Sequence, residues 1–189
     1  MARGHVILSH GLESGPEATK VTALAQVAEG LGWAHERPDY RDLDARGRLG
    51  DVAARMARLR ERARAVQGPL VLAGSSMGAF VSGEVAHELA HAAATPQGSS
   101  TAALRGLFLM APPVALQGVW PRPLLAPSGV PVLVVHGWDD ELIPAQAVVD
   151  WCTAHKSELR LVDDSHRLAA HVEYSAQAFA DFLKRVDAG

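Results

Sequence analysis

Strand-like and helix-like segments alternate along this chain, which predicts a three-layer α/β/α sandwich with a mostly parallel sheet between its helices. Two observations carry that expectation. Apolar, β-rich runs of strand length recur at residues 6–10, 69–73, 104–110, 130–136 and 159–162, with helical stretches between most of them. A Gly-x-Ser-x-Gly turn, Gly74-Ser75-Ser76-Met77-Gly78, joins one such strand to a helix. The 189 residues, 48% of them hydrophobic, suffice for one domain with a buried core, expected to span 1–189.

Taken in order, Val6-Ile7-Leu8-Ser9-His10 is a short apolar strand ending in His10-Gly11-Leu12-Glu13-Ser14-Gly15-Pro16. Gly15-Pro16 can open a helix, since proline is tolerated at a first helical position, and Val21, Leu24, Ala25, Ala28 and Leu31 mark its apolar face. Gly30 and Gly32 close it, and residues 33–37 read as a short strand. A long helix follows at 48–66, with Val52, Met56, Leu59, Ala63 and Val66 on one stripe. It also carries Arg55, Arg58, Arg60, Arg62 and Arg64, which could bind an acidic partner or nucleic acid. No aromatic residues are interleaved for base stacking, so a solvated outer face is the favoured reading.

After the strand at 69–73 and the glycine-bounded turn, residues 77–94 continue as a helix. The polar stretch 95–101 is a loop rather than a domain linker, and a strand follows at 104–110. Six of the eleven prolines fall within 111–131, so that segment cannot form a long helix. Next come the strand at 130–136, the loop Gly137-Trp138-Asp139-Asp140-Glu141-Leu142-Ile143-Pro144, a helix after Pro144, the strand at 159–162 and a last helix beyond His171.

Three loops hold residue types suited to nucleophilic catalysis. A strained strand-to-helix turn lifts the Ser76 hydroxyl clear of the sheet, and side chains at 74 and 78 would collide there. Asp140, just past a strand end, is the candidate acid, with its neighbour Asp139 competing for that role. His166, on the polar loop after the last strand, is the candidate base. The order Ser, Asp, His is that of the nucleophile-elbow fold. His166 would take the hydroxyl proton and later return one to the leaving group, while Asp140 would fix its tautomer. The backbone amides of Leu12 and Met77 are the candidate oxyanion donors, each worth roughly 3 to 4 kcal/mol in the transition state.

Through His10-Gly11, Gly74-Ser75-Ser76-Met77-Gly78, Asp140-Glu141-Leu142-Ile143-Pro144 and Asp164-Ser165-His166-Arg167, the chain resembles the α/β-hydrolase superfamily almost from end to end. Within it, residues 10–16 with Thr19-Lys20 and the Ser76 turn resemble the small lidless bacterial esterases. They also resemble the mitochondrial acyl thioesterase that cleaves acyl glucuronides. The resemblance implies ester or thioester hydrolysis with no cofactor.

The strand at 104–110 is separated from Val130 by only about twenty residues, too few for a helical lid, so an open or thinly covered site is expected. Pro112, Pro113, Val114, Leu116, Val119, Trp120, Leu124 and Leu125 either line an acyl surface or simply pack an irregular connection over the sheet. His10, Gly11, Pro112, Pro113 and Trp120 are the candidate substrate contacts.

Other polar residues carry blander readings. His87 and His91 stand one helical turn apart, but no carboxylate or cysteine completes a metal set nearby, and a surface pair is expected. His171 is assigned a packed or capping role, and Cys152 that of a small core residue. One cysteine, no signal-peptide core and no run near the roughly 20 apolar residues of a membrane span point to the cytoplasm. A net charge of −3 gives no general attraction to nucleic acid. The expected partner is therefore a small ester or thioester, with an acylated protein as a further candidate. A peptidase or lyase using the same three residues, or a non-catalytic receptor on this fold, are the alternatives.

Overall fold

The computed structural model describes residues 2–46, 51–94 and 102–188. Its elements run β1 (His5–Ser9), α1 (Thr19–Gly30), β2 (Ala34–Glu36), α2 (Arg41–Asp44), α3 (Val52–Ala65), β3 (Gly68–Ser75), α4 (Met77–Ala93) and β4 (Ala102–Met110). β5 (Val132–Gly137), α5 (Ala145–His155), β6 (Glu158–Val162) and α6 (Val172–Ala188) complete the order. Among the described residues the six strands form one sheet in the order β2-β1-β3-β4-β5-β6, and every pairing is parallel.

Alternation along each central strand sorts side chains to the two faces. Ile7, Leu70, Leu72, Leu107, Leu109, Val132 and Val134 pack toward α3, α4 and α5. Val6, Leu8, Val71, Ala73, Phe108, Met110, Leu133 and Val135 pack toward α1 and α6. The four central strands therefore read as continuous apolar runs, because both faces are covered. On the second face Phe108 meets Phe179 edge-on at 5.0 Å, a contact worth about 0.5–1.5 kcal/mol beyond its buried area, and Phe182 in a tilted arrangement at 5.9 Å.

Two helix starts differ from expectation. The first helix starts at Thr19 rather than at Pro16, because Gly15 and Pro16 belong to a turn closed by the Ala18 amide donating to Gly15 O at 3.0 Å. The arginine-rich helix is described from Val52, with Asp51 as its cap: Asp51 Oδ1 accepts from the Ala54 amide at 2.9 Å. Residues 48–50, where that helix was expected to begin, and the expected loop 95–101 lie outside the described residues. The apolar stripe of α3, from Val52 to Val66, is buried as its spacing predicts.

Arg55 departs from the solvated reading of that helix. Its side chain is fully buried and bonded to Asp44, whereas Arg58, Arg60 and Arg62 pair nearer the surface with Asp42, Glu88 and Glu36. The connection after β4 is fastened as well. Glu84 of α4, fully buried, accepts from Trp120 Nε1 at 3.0 Å and from Arg122 at 2.9 Å, and Leu116 and Leu124 join the core beneath.

Candidate active site

Ser76 sits between β3 and α4 with φ 54° and ψ −124°, a conformation that costs a non-glycine residue about 1–3 kcal/mol. The surrounding backbone enforces it. The Ser76 amide donates to Met110 O at 2.9 Å, while its own carbonyl accepts from the Ala79 and Phe80 amides at 2.8 and 3.1 Å. Both flanking glycines are sterically required: a Cβ on Gly74 would lie 2.3 Å from Gly78 O, and one on Gly78 would lie 2.1 Å from Ser9 O. Ser76 makes no side-chain capping bond to α4, which leaves its hydroxyl for another partner.

That partner is His166. Its Nε2 is 2.9 Å from Ser76 Oγ, and its Nδ1 is 2.8 Å from Asp140 Oδ2. Of the two competing carboxylates, Asp140 reaches the imidazole; Asp139 is exposed, and its amide donates to Asp164 O at 3.1 Å. The Asp140 side chain is fully buried, and its Oδ1 accepts from the Leu142 and Ile143 amides at 2.9 and 2.8 Å. With Oδ1 occupied in this way, Oδ2 is left to face the histidine.

The two loops that bring these residues together are laced to each other. The Trp138 amide donates to Val162 O at 2.8 Å, and the His166 amide donates to Glu141 Oε2 at 3.1 Å. Asp164 accepts from the Ser165 and Ala170 amides and pairs with His171 Nδ1 at 3.0 Å, which gives His171 the packing role expected of it. Lys20 approaches the backbone of the same loop, its Nζ 3.5 Å from His166 O, and burial pushes its amine down to about 8 although Asp140 and Asp164 oppose that shift.

On the other side of Ser76, Gly11 comes close: a Cβ there would lie 3.4 Å from the serine Cβ. Leu12 begins a tight turn that continues through Glu13, whose φ is 51°. Met77 is the first residue of α4, where an amide has no intrahelical acceptor. Pro112 and Pro113, expected as substrate contacts, lie just past Ala111 at the end of β4 and are both buried, packed into the fold rather than open to a ligand. Trp120 is held against Glu84 and meets Phe80 edge-on at 6.3 Å, so packing accounts for its position.

His10 does not offer its ring to a ligand, contrary to the expectation for that residue. It is fully buried, with Nδ1 donating to Gly11 O at 2.8 Å and Nε2 accepting from the Tyr40 amide at 3.0 Å. Both nitrogens are spent on shaping the turn that contains Gly11. His87 Nδ1 lies 3.3 Å from Ala126 O, and Cys152 is buried, its thiol pushed up to about 12 by burial.

His136, which sequence reasoning left as a strand residue, supports the acid loop. It is fully buried in β5, its Nε2 is 3.0 Å from Ile143 O and 3.5 Å from Asp140 Oδ2, and its Nδ1 has no hydrogen-bond partner among the described residues. Burial holds His10 and His136 below the usual histidine range. The unfolded chain takes up these protons near pH 6.5 and the folded chain resists them. Stability is therefore expected to fall as pH drops below about 6.5, by up to about 1.4 kcal/mol per pH unit for each ring. Urea unfolding at pH 7.5 and 5.5 measures this, and equal free energies would show both rings charged inside the fold.

No family model matches the chain, and no curated protein does. Solved structures do. A protein of Xanthomonas campestris pv. campestris assigned to the α/β superfamily of hydrolases is 51% identical, with a TM-score of 0.83 over 96% of this chain and 99% of that one. An alpha-beta serine hydrolase homologue from Coxiella burnetii is 22% identical, with a TM-score of 0.67 over 96% of this chain and 85% of that one. Est1E from Butyrivibrio proteoclasticus is 19% identical, with a TM-score of 0.67 over 98% and 89% of the two chains. The latter two share the fold. The Xanthomonas protein shares half its residues as well, over nearly the full length of both chains, and on that ground this chain belongs to the α/β hydrolase superfamily.

Proposed function

We propose that the protein is a serine hydrolase cleaving carboxylic esters, or thioesters, through an acyl-enzyme on Ser76. The observation that carries this reading is the unbroken line from Ser76 Oγ through His166 to Asp140, with contacts of 2.9 and 2.8 Å. His166 takes the serine proton as Oγ attacks the acyl carbon, and Asp140 stabilises the imidazolium that forms. The imidazolium then protonates the departing alcohol or thiol. Water, deprotonated by the same histidine, releases the acid. The amides of Leu12 and Met77 hold the oxyanion in both halves of the reaction.

The exposed Trp138 and Leu142 either side of Asp140 supply apolar surface for the acyl group. A cavity of about 500 Å³ opens beside the turn after β1, where Glu17 pairs with Arg41 and Asp44 with Arg55. A receptor that only bound ligands would have no need of a serine, histidine and aspartate in one hydrogen-bonded line.

Turnover of p-nitrophenyl acetate, butyrate and longer esters, run beside the matching coenzyme A thioesters, tests the reading. The expected result is a burst of nitrophenol followed by slower turnover, and the ratio of the two series reports the leaving group. Release no faster than the uncatalysed background would favour the receptor.

A further inference from the structure

We propose that Arg55 is a positioning residue for the oxyanion site, holding the Gly11–Leu12 peptide so that the Leu12 amide faces the oxygen of the bound acyl group. The inference rests on the hydrolase reading above. Arg55 lies in α3 and touches none of Ser76, His166 or Asp140 among its hydrogen-bond partners. Its guanidinium instead spans two groups. Nε and one terminal nitrogen donate to the two oxygens of Asp44 at 2.7 and 2.6 Å, and the terminal nitrogens also donate to His10 O at 3.0 Å and Gly11 O at 3.1 Å.

Two successive carbonyls are thus tied to one fully buried, planar cation. The described peptide bonds are trans, so a carbonyl and the following N–H point in opposite directions. Fixing Gly11 O on the arginine turns the Leu12 N–H away from it, on the peptide whose Gly11 borders Ser76. His10 Nδ1 holds the same carbonyl at 2.8 Å, and the ring of Tyr40 lies 4.7 Å below the guanidinium carbon. Tyr40 in turn meets Ser9 Oγ at 3.1 Å. Arg55 is thereby anchored by Asp44 and Tyr40, and the turn by Arg55. Burying a guanidinium against a largely covered carboxylate is costly where an apolar residue would fill the space, and control of this turn gives the pair a purpose.

Arg55→Lys keeps the charge, but a single ammonium cannot reach Asp44 and both carbonyls in the same planar arrangement. The expected result is a kcat lower by about tenfold to a hundredfold, with KM within about twofold. The second readout is the Leu12 amide resonance when an alkyl boronic acid adds to Ser76. In the wild type it moves downfield as the amide takes up the boronate oxygen, and in Arg55→Lys that movement shrinks.

A folded Arg55→Lys that keeps its kcat would overturn the proposal, as would equal amide movement in both proteins. Should the lysine variant fail to fold, Asp44→Asn, which keeps Arg55 but weakens its anchor, gives the same two readouts, and an unchanged kcat with an unchanged amide movement is equally fatal. Lack of ester turnover in the wild type would remove the proposed function and leave the amide measurement standing, so the two failures are told apart.

Discussion

Ser76→Ala is expected to lower kcat by about a millionfold and to abolish labelling by a fluorophosphonate probe, while Ser75→Ala retains both. Ser76 Oγ is the hydroxyl at 2.9 Å from His166 Nε2; Ser75, the last residue of β3, is buried and pairs with Met110 through its backbone. Alanine keeps the Cβ, so the strained backbone at φ 54° is unchanged and the thermal midpoint should match the wild type. Any lost turnover then belongs to the hydroxyl. Because the three residues act as a unit, adding His166→Ala to Ser76→Ala should cost little more. The reverse pattern, with Ser75→Ala inactive and Ser76→Ala active, would assign the nucleophile to the other serine.

Asp140→Asn is expected to lower kcat by about ten-thousandfold in a protein that still folds. The surroundings dictate which way the new amide turns. Oδ1 of the native carboxylate accepts two backbone amides, at 2.9 and 2.8 Å, so the asparagine oxygen must stay there. Its NH2 group then faces His166 Nδ1, which has to become an acceptor. The ring proton moves to Nε2, and the nitrogen beside Ser76 can no longer take a proton. Asp139→Asn, altering an exposed side chain, should leave kcat within about twofold, as exposed substitutions usually do. Kinetics with a chromogenic ester on both variants settle the matter: heavy loss in Asp139→Asn and none in Asp140→Asn would exchange their roles.

The fold and the Ser76, Asp140 and His166 positions were legible because each is announced by local chemistry. Strands buried on both faces leave unbroken apolar runs, and an impossible Cβ at 74 and 78 leaves two glycines around a serine. The choice between Asp139 and Asp140 was harder to read, since adjacent residues differ only in which amides they meet after the turn closes. His10 and Arg55 were misread for a related reason. His10-Gly11 invites a contact at the site, but its ring is turned inward by the Tyr40 amide thirty residues later in the chain. Arg55 looks like its four arginine neighbours until Asp44 arrives from α2, an element of four residues too short to show a period. What sequence hides here is partnership across loops, where neither partner has an unusual neighbour of its own.

The buried Glu84 sets a further condition on such an enzyme. It bolts Trp120 and Arg122, and with them the proline-rich stretch, to the same helix that Ser76 begins. A connection fastened to that helix moves with it as one body, so any shift of the helix carries the proline-rich stretch along.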